Sequence, residues 1–138
     1  MKLIGFGFNK MGVERLNHKF ENVSINTKID ILSIEEAKSE AFKFKEDPLA
    51  IKFSFNIDYS PNLAKLDLEG NLVLAVESKI AKEVLKSWKE KKLPDDFRVT
   101  LFNIILKKST LKALQLEEEL NLPLHIPLPS FKKPDKED

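Results

Sequence analysis

The chain has 138 residues, with Lys+Arg 23 against Asp+Glu 22 and a formal net charge of +1. That is the length of one domain, and a hydrophobic share of 42% excludes global disorder, while the balanced charge argues against a basic nucleic-acid footprint. Cysteine is absent, which excludes disulfides, thiolate metal sites and a cysteine nucleophile, and no apolar run approaches the ~20 residues of a membrane span.

The first half reads as strands. Leu3, Ile4, Phe6 and Phe8 alternate in part with polar or glycine positions, the period of a half-buried strand, and Met11, Val13 and Leu16 extend it past a kink expected at Gly12. The opening residues are too short for a signal-peptide core with its cleavage site, so a cytoplasmic location is expected. Residues 23–34 place β-branched Val23, Ile25, Ile29, Ile31 and Ile34 among polar neighbours, which predicts a second strand. A polar crossover follows at 35–40. Phe42, Phe44, Ile51, Phe53, Phe55 and Ile57 then repeat at every second position around Pro48, which marks a bulge or loop. Residues 58–62 form a turn cluster. Residues 63–69 alternate again, and 72–76 form an apolar strand end.

The second half changes period. Ser78 is the expected N-cap of a helix whose stripe is Ile80, Ala81, Val84, Leu85 and Trp88, running to about Lys92. Pro94 suits the first turn of a second helix, and Asp95 and Asp96 suit its positive end. Phe97, Leu101, Phe102, Ile104, Ile105 and Leu106 give that helix a wide apolar face. Ser109 or Thr110 is expected to restart it for Leu111, Leu114 and Leu116, and Glu117, Glu118 and Glu119 read as a solvated run. Residues 122–129 carry three prolines and can only be an extended apolar strip lying along something. Residues 132–138 read as a charged, disordered tail. The fold class is therefore α+β, a four-stranded antiparallel sheet with helices packed on one face, in a single domain over residues 1–131.

Few groups could carry chemistry. His18 and His125 have no partner at ligand spacing, so no metal is expected and both read as surface or interface histidines. Ser54, Ser78 and Ser109 lack an elbow motif, the glycines at 5 and 7 precede no helix, and Asp95 and Asp96 are helix-dipole compensation. The expectation is a protein that is not an enzyme and needs no cofactor. Lys89, Lys91, Lys92, Lys107 and Lys108 could touch phosphate in a nucleic-acid or small-molecule binder, but read better as solvated faces. The Phe stripe is either an ordinary sheet core or, because helices cover only one face of a sheet, part of an apolar groove or subunit interface.

The element order, with residues 8–17, 23–34 and 64–70, the break at Leu93 and Pro94 and the Pro-bounded strip at 122–131, resembles the SecB-like chaperone family. The resemblance implies a homo-oligomer, a dimer of dimers, with grooves that hold unfolded polypeptide and no nucleotide. It implies an ATP-independent holdase, with protein export as a possible pathway. Phe42, Phe44, Phe53, Phe55, Leu124, Ile126 and Leu128 are the expected groove lining. Asp67 and Glu69 are the expected partner-binding acids, since Met11 and Arg15 stand where the export chaperone has carboxylates. The family's last helix is absent, and Leu111 to Leu120 is an addition. The alternative is an adaptor dedicated to one partner, such as a toxin–antitoxin pair.

Overall fold

Alternation of β-branched and aromatic residues with polar ones builds four long strands, β1 (Lys2–Arg15), β2 (Ser24–Glu36), β3 (Asp47–Ser60) and β4 (Ala64–Val76). In the computed structural model, which describes residues 1–19, 21–37 and 46–134, they form one antiparallel sheet in the order β1-β4-β3-β2. Two helices follow, α1 (Ser78–Trp88) and α2 (Asp95–Glu119), and both pack on one face. The α+β architecture expected from the sequence is the one found.

The register puts the apolar positions of β3 and β4 on the same side. Ile51 pairs with Leu72, Phe55 with Leu68 and Ile57 with Leu66. All six are at most 1% exposed. Phe53 pairs with Gly70, and its ring lies where a side chain at 70 would be. A Cβ there would stand 2.7 Å from the ring and 2.5 Å from the Gly7 carbonyl oxygen. From β1, Phe6 and Phe8 join the Phe53 ring, at centroid distances of 5.3 and 6.2 Å. The register shifts of β1 fall at Leu3/Gly5 and Phe8/Lys10. Gly12, the expected kink, pairs regularly with Asp67.

The opposite face is polar. Lys52, Ser54, Asn56 and Asp58 of β3 alternate away from the helices, beside Lys65, Asp67, Glu69 and Asn71 of β4. Among the described residues of β3 and β4, the apolar members of that face gather at one end, where Ala50 pairs with Val73 and Pro48 with Ala75.

Both helices differ in detail from the sequence reading. α1 ends at Trp88, four residues early, because Lys91 adopts the left-handed conformation (φ 59°). There the Lys92 amide bonds the Ser87 carbonyl and the Lys91 amide bonds that of Trp88, so the chain folds back. The N-cap of α1 is Glu77 and not Ser78, which is the first helical residue, and Glu77 makes no side-chain cap hydrogen bond. α2 runs unbroken through Ser109. Its inner row, Phe97, Leu101, Ile105, Ser109, Ala113 and Glu117, is buried at every fourth residue, so Ser109 is a small residue of the packed face and no restart occurs.

Candidate functional site

Asn121, in the left-handed region at φ 53°, ends α2. The Leu122 amide donates to the Glu117 carbonyl and the Asn121 amide to that of Glu118, a reversal that satisfies the last carbonyls of the helix. Arg15 adds its guanidinium to the Leu120 and Asn121 carbonyls at 3.0 and 3.1 Å, a cation at the negative helix end. The chain then turns back along α2 as the Pro-rich strip.

A buried polar cluster fixes that strip. The Glu117 carboxylate, fully buried, accepts the Tyr59 hydroxyl of β3. It also accepts the His125 amide at 2.9 Å and pairs with His125 Nδ1 at 2.7 Å. The His125 ring packs edge-on against Phe55, and its Nε2 is buried without a partner. Burial, then the hydrogen bond to Glu117 and its charge, push the Tyr59 hydroxyl well above its ordinary pKa of 10.0. Two expectations are corrected here. Glu117 is not part of a solvated run, because the four-residue row of α2 turns it into the core. His125 is not a surface histidine, because it carries the strip's link to that carboxylate.

Apolar side chains stay outside on the far side of α2. Val99, Leu106 and Leu111 are 54%, 44% and 62% exposed. Leu106 and Leu111 line a shallow cleft with Asn103, Lys107, Thr110 and, from the strip, Ile126. A second cleft lies between Leu114 of α2 and Leu122, Leu124 and Leu128 of the strip. A third opens at the edge of the sheet, where Ile29 and Ile31 of β2 meet Trp88, Leu93 and Phe102 under Lys91, Lys92 and Arg98. Phe102 is one helical turn from Leu106, so the first and third clefts adjoin along α2.

The expected site residues are divided by this geometry. Leu124, Ile126 and Leu128 line the clefts of the strip. Phe53 and Phe55 do not line a groove. They alternate onto the helix-covered side of β3 and are 0% exposed, so they are core. Phe42 and Phe44 lie outside the described residues. Asp67 and Glu69 stand on the polar sheet face, half-buried and remote from the apolar clefts. There Asp67 accepts a hydrogen bond from Asn56 Nδ2 at 2.6 Å. Lys107 lines the α2 cleft, Lys91 and Lys92 the edge cleft, and Lys108 lies over the Phe6 ring at 5.9 Å.

The sequence pattern did not reveal the outer side of α2 or the cleft that Trp88 and Phe102 share. The available signal was that α2 has apolar residues at 99, 106 and 111 that no four-residue row through Phe97 can accommodate. Among the described residues no cluster of three or more His, Asp or Glu could hold a metal ion, and no helix is long and apolar enough to cross a membrane.

No family model matches the chain, and no curated protein matches it in sequence. Among solved structures it is similar to the SecB-like chaperone Rv1957 of Mycobacterium tuberculosis, determined in complex with a ChAD peptide from the HigA1 antitoxin Rv1956. The similarity has a TM-score of 0.55 at 12% identity, and covers 95% of this chain and 87% of that one. The chain thus shares the fold of a SecB-like chaperone.

Proposed function

We propose that the protein is an ATP-independent chaperone that holds extended polypeptide segments against the outer side of α2 and the Pro-rich strip. The observation that carries this reading is the exposed apolar surface of Leu106, Leu111, Ile126 and Leu128 on a domain whose core is otherwise closed. Aliphatic clefts offer contact without fixed hydrogen bonds, which tolerates many sequences. A holdase needs no catalytic group, because binding the unfolded chain shifts folding by mass action. The reading includes a cytoplasmic homo-oligomer, with a dimer of dimers as the form the family resemblance implies. A denatured client followed by light scattering tests it. Substoichiometric protein is expected to delay aggregation, and unchanged aggregation at molar excess contradicts the proposal.

A second reading has its own support. The similar chaperone was solved with an antitoxin peptide, which favours a chaperone dedicated to one partner. Recovery of one folded partner, with no binding to generic unfolded chains, would select it.

A further inference from the structure

We infer that the Pro-rich strip is an autoinhibitory strap: residues 123–128 fill, from within the chain, a site on α2 and β3 that an extended client segment takes when the strap is displaced. The inference rests on the reading of the chain as a polypeptide binder and adds how access to its surface is regulated.

Three observations carry it. First, the strip is tied at its root and at one further point. At the root, Leu122 is buried and its amide closes α2, while Arg15 holds the Leu120 and Asn121 carbonyls. Among the described residues, the hydrogen bonds of 123–131 are those of His125 to Glu117 and no others. Pro123, Pro127 and Pro129 have no N–H to give, and Leu128 and Phe131 are exposed. A segment with so few bonds opens locally at less cost than the strands beneath it.

Second, the further tie is not fully satisfied. The His125 side chain is 3% exposed, and its Nε2 is buried with no partner. Closure therefore costs the imidazole a hydrogen bond that water supplies once the strap lifts. The Tyr59 hydroxyl reaches Glu117 from β3 and does not depend on the strap.

Third, another chain can copy the tie. Glu117 accepts a main-chain N–H from residue 125, a group that every residue but proline offers. The His125 ring packs edge-on against Phe55, with centroids 6.1 Å apart, and Leu124 shares a cleft with Leu114. An extended segment that gives one N–H to Glu117, a ring to Phe55 and an aliphatic side chain to Leu114 repeats each contact. Because the acceptor is a carboxylate, a segment with Asp or Glu in place of that ring is disfavoured.

The chain has no cysteine, so the strap can be locked chemically. Gln115→Cys with Leu124→Cys puts one thiol on α2 and one on the strap, in a shared cleft, and a cleavable bismaleimide bridges them. A permanently unfolded client is titrated into the bridged protein, into the same protein after cleavage of the bridge, and into His125→Pro, which loses both the amide donor and the ring. Bridging is expected to weaken client binding about tenfold, cleavage to restore it, and His125→Pro to bind about tenfold tighter than wild type. If His125→Pro does not fold, the bridged and cleaved forms decide alone. Equal, measurable binding by the bridged and cleaved forms overturns the inference and leaves the chaperone reading standing, as does a folded His125→Pro that binds no tighter than wild type. Binding by none of the forms, with no delay of aggregation, overturns both.

Discussion

Glu117 shows how one side chain can join three elements. It sits on α2, receives Tyr59 from β3 and holds His125 of the strip. Removing the buried acceptor leaves the Tyr59 hydroxyl and the His125 amide unsatisfied, so Glu117→Ala is expected to destabilise the fold in urea unfolding by about 1–3 kcal/mol for each stranded group. Tyr59 gives a sharper test because it is the only tyrosine. Its folded pKa lies above the unfolded value near 10.0. The stability it lends is therefore complete below pH 10 and declines above it. The slope of that decline is about 1.4 kcal/mol per pH unit. The difference in unfolding free energy between wild type and Tyr59→Phe is expected to be flat below pH 10 and to shrink above it. Phenolate absorbance should stay absent in the folded protein through that range. At Gly70 the Phe53 ring and the Gly7 carbonyl leave no space for a methyl group, so Gly70→Ala is expected to destabilise by about 1–3 kcal/mol, read as a lowered urea midpoint. Lys91 is the opposite case. Glycine accepts its positive φ without the side-chain penalty, so Lys91→Gly is expected to gain about 1 kcal/mol in stability.

At the scale of elements, the strands were legible because a period of two with β-branched and aromatic residues has few other readings. The apolar positions 51 to 57 and 66 to 74 marked one apolar side of each strand but left open whether helices or a groove would meet it. Burial was less legible. Phe53 and Phe55 carry the same signal whether they pack under helices or line a groove, and only register against Gly70 and Leu68 decides. α2 misled for a related reason. Ser109 and Thr110 look like a cap, and three glutamates in a row look solvated, until a strict four-residue row carries Ser109 and Glu117 inward. Glu117 meets Tyr59 across 58 residues of sequence, a contact that no local pattern encodes. The strip was legible in character, because its prolines forbid helix and central strand, but its anchor was not. Leu106→Ser with Leu111→Ser and Ile126→Ser removes exposed apolar surface and no buried contact of the core. The triple variant is expected to keep its melting temperature within a few degrees while losing most aggregation suppression, since exposed substitutions usually cost within about 0.5 kcal/mol each.

Across the whole molecule, one face of the sheet carries the core and the other is mostly polar, and much of the apolar surplus emerges on the outer side of α2 and along the strip, with Met11, Leu16 and Leu32 exposed at the sheet. These surfaces lie away from the closed core, so on the proposed reading a client could be bound and released without unfolding the domain. Titration of a permanently unfolded client against the protein, with the same client in its folded form as control, tests this account most directly. Saturable binding of the unfolded form alone, abolished by the serine variant at 106, 111 and 126, is the expected result. Equal binding of folded and unfolded client, or full binding by that variant, would contradict it.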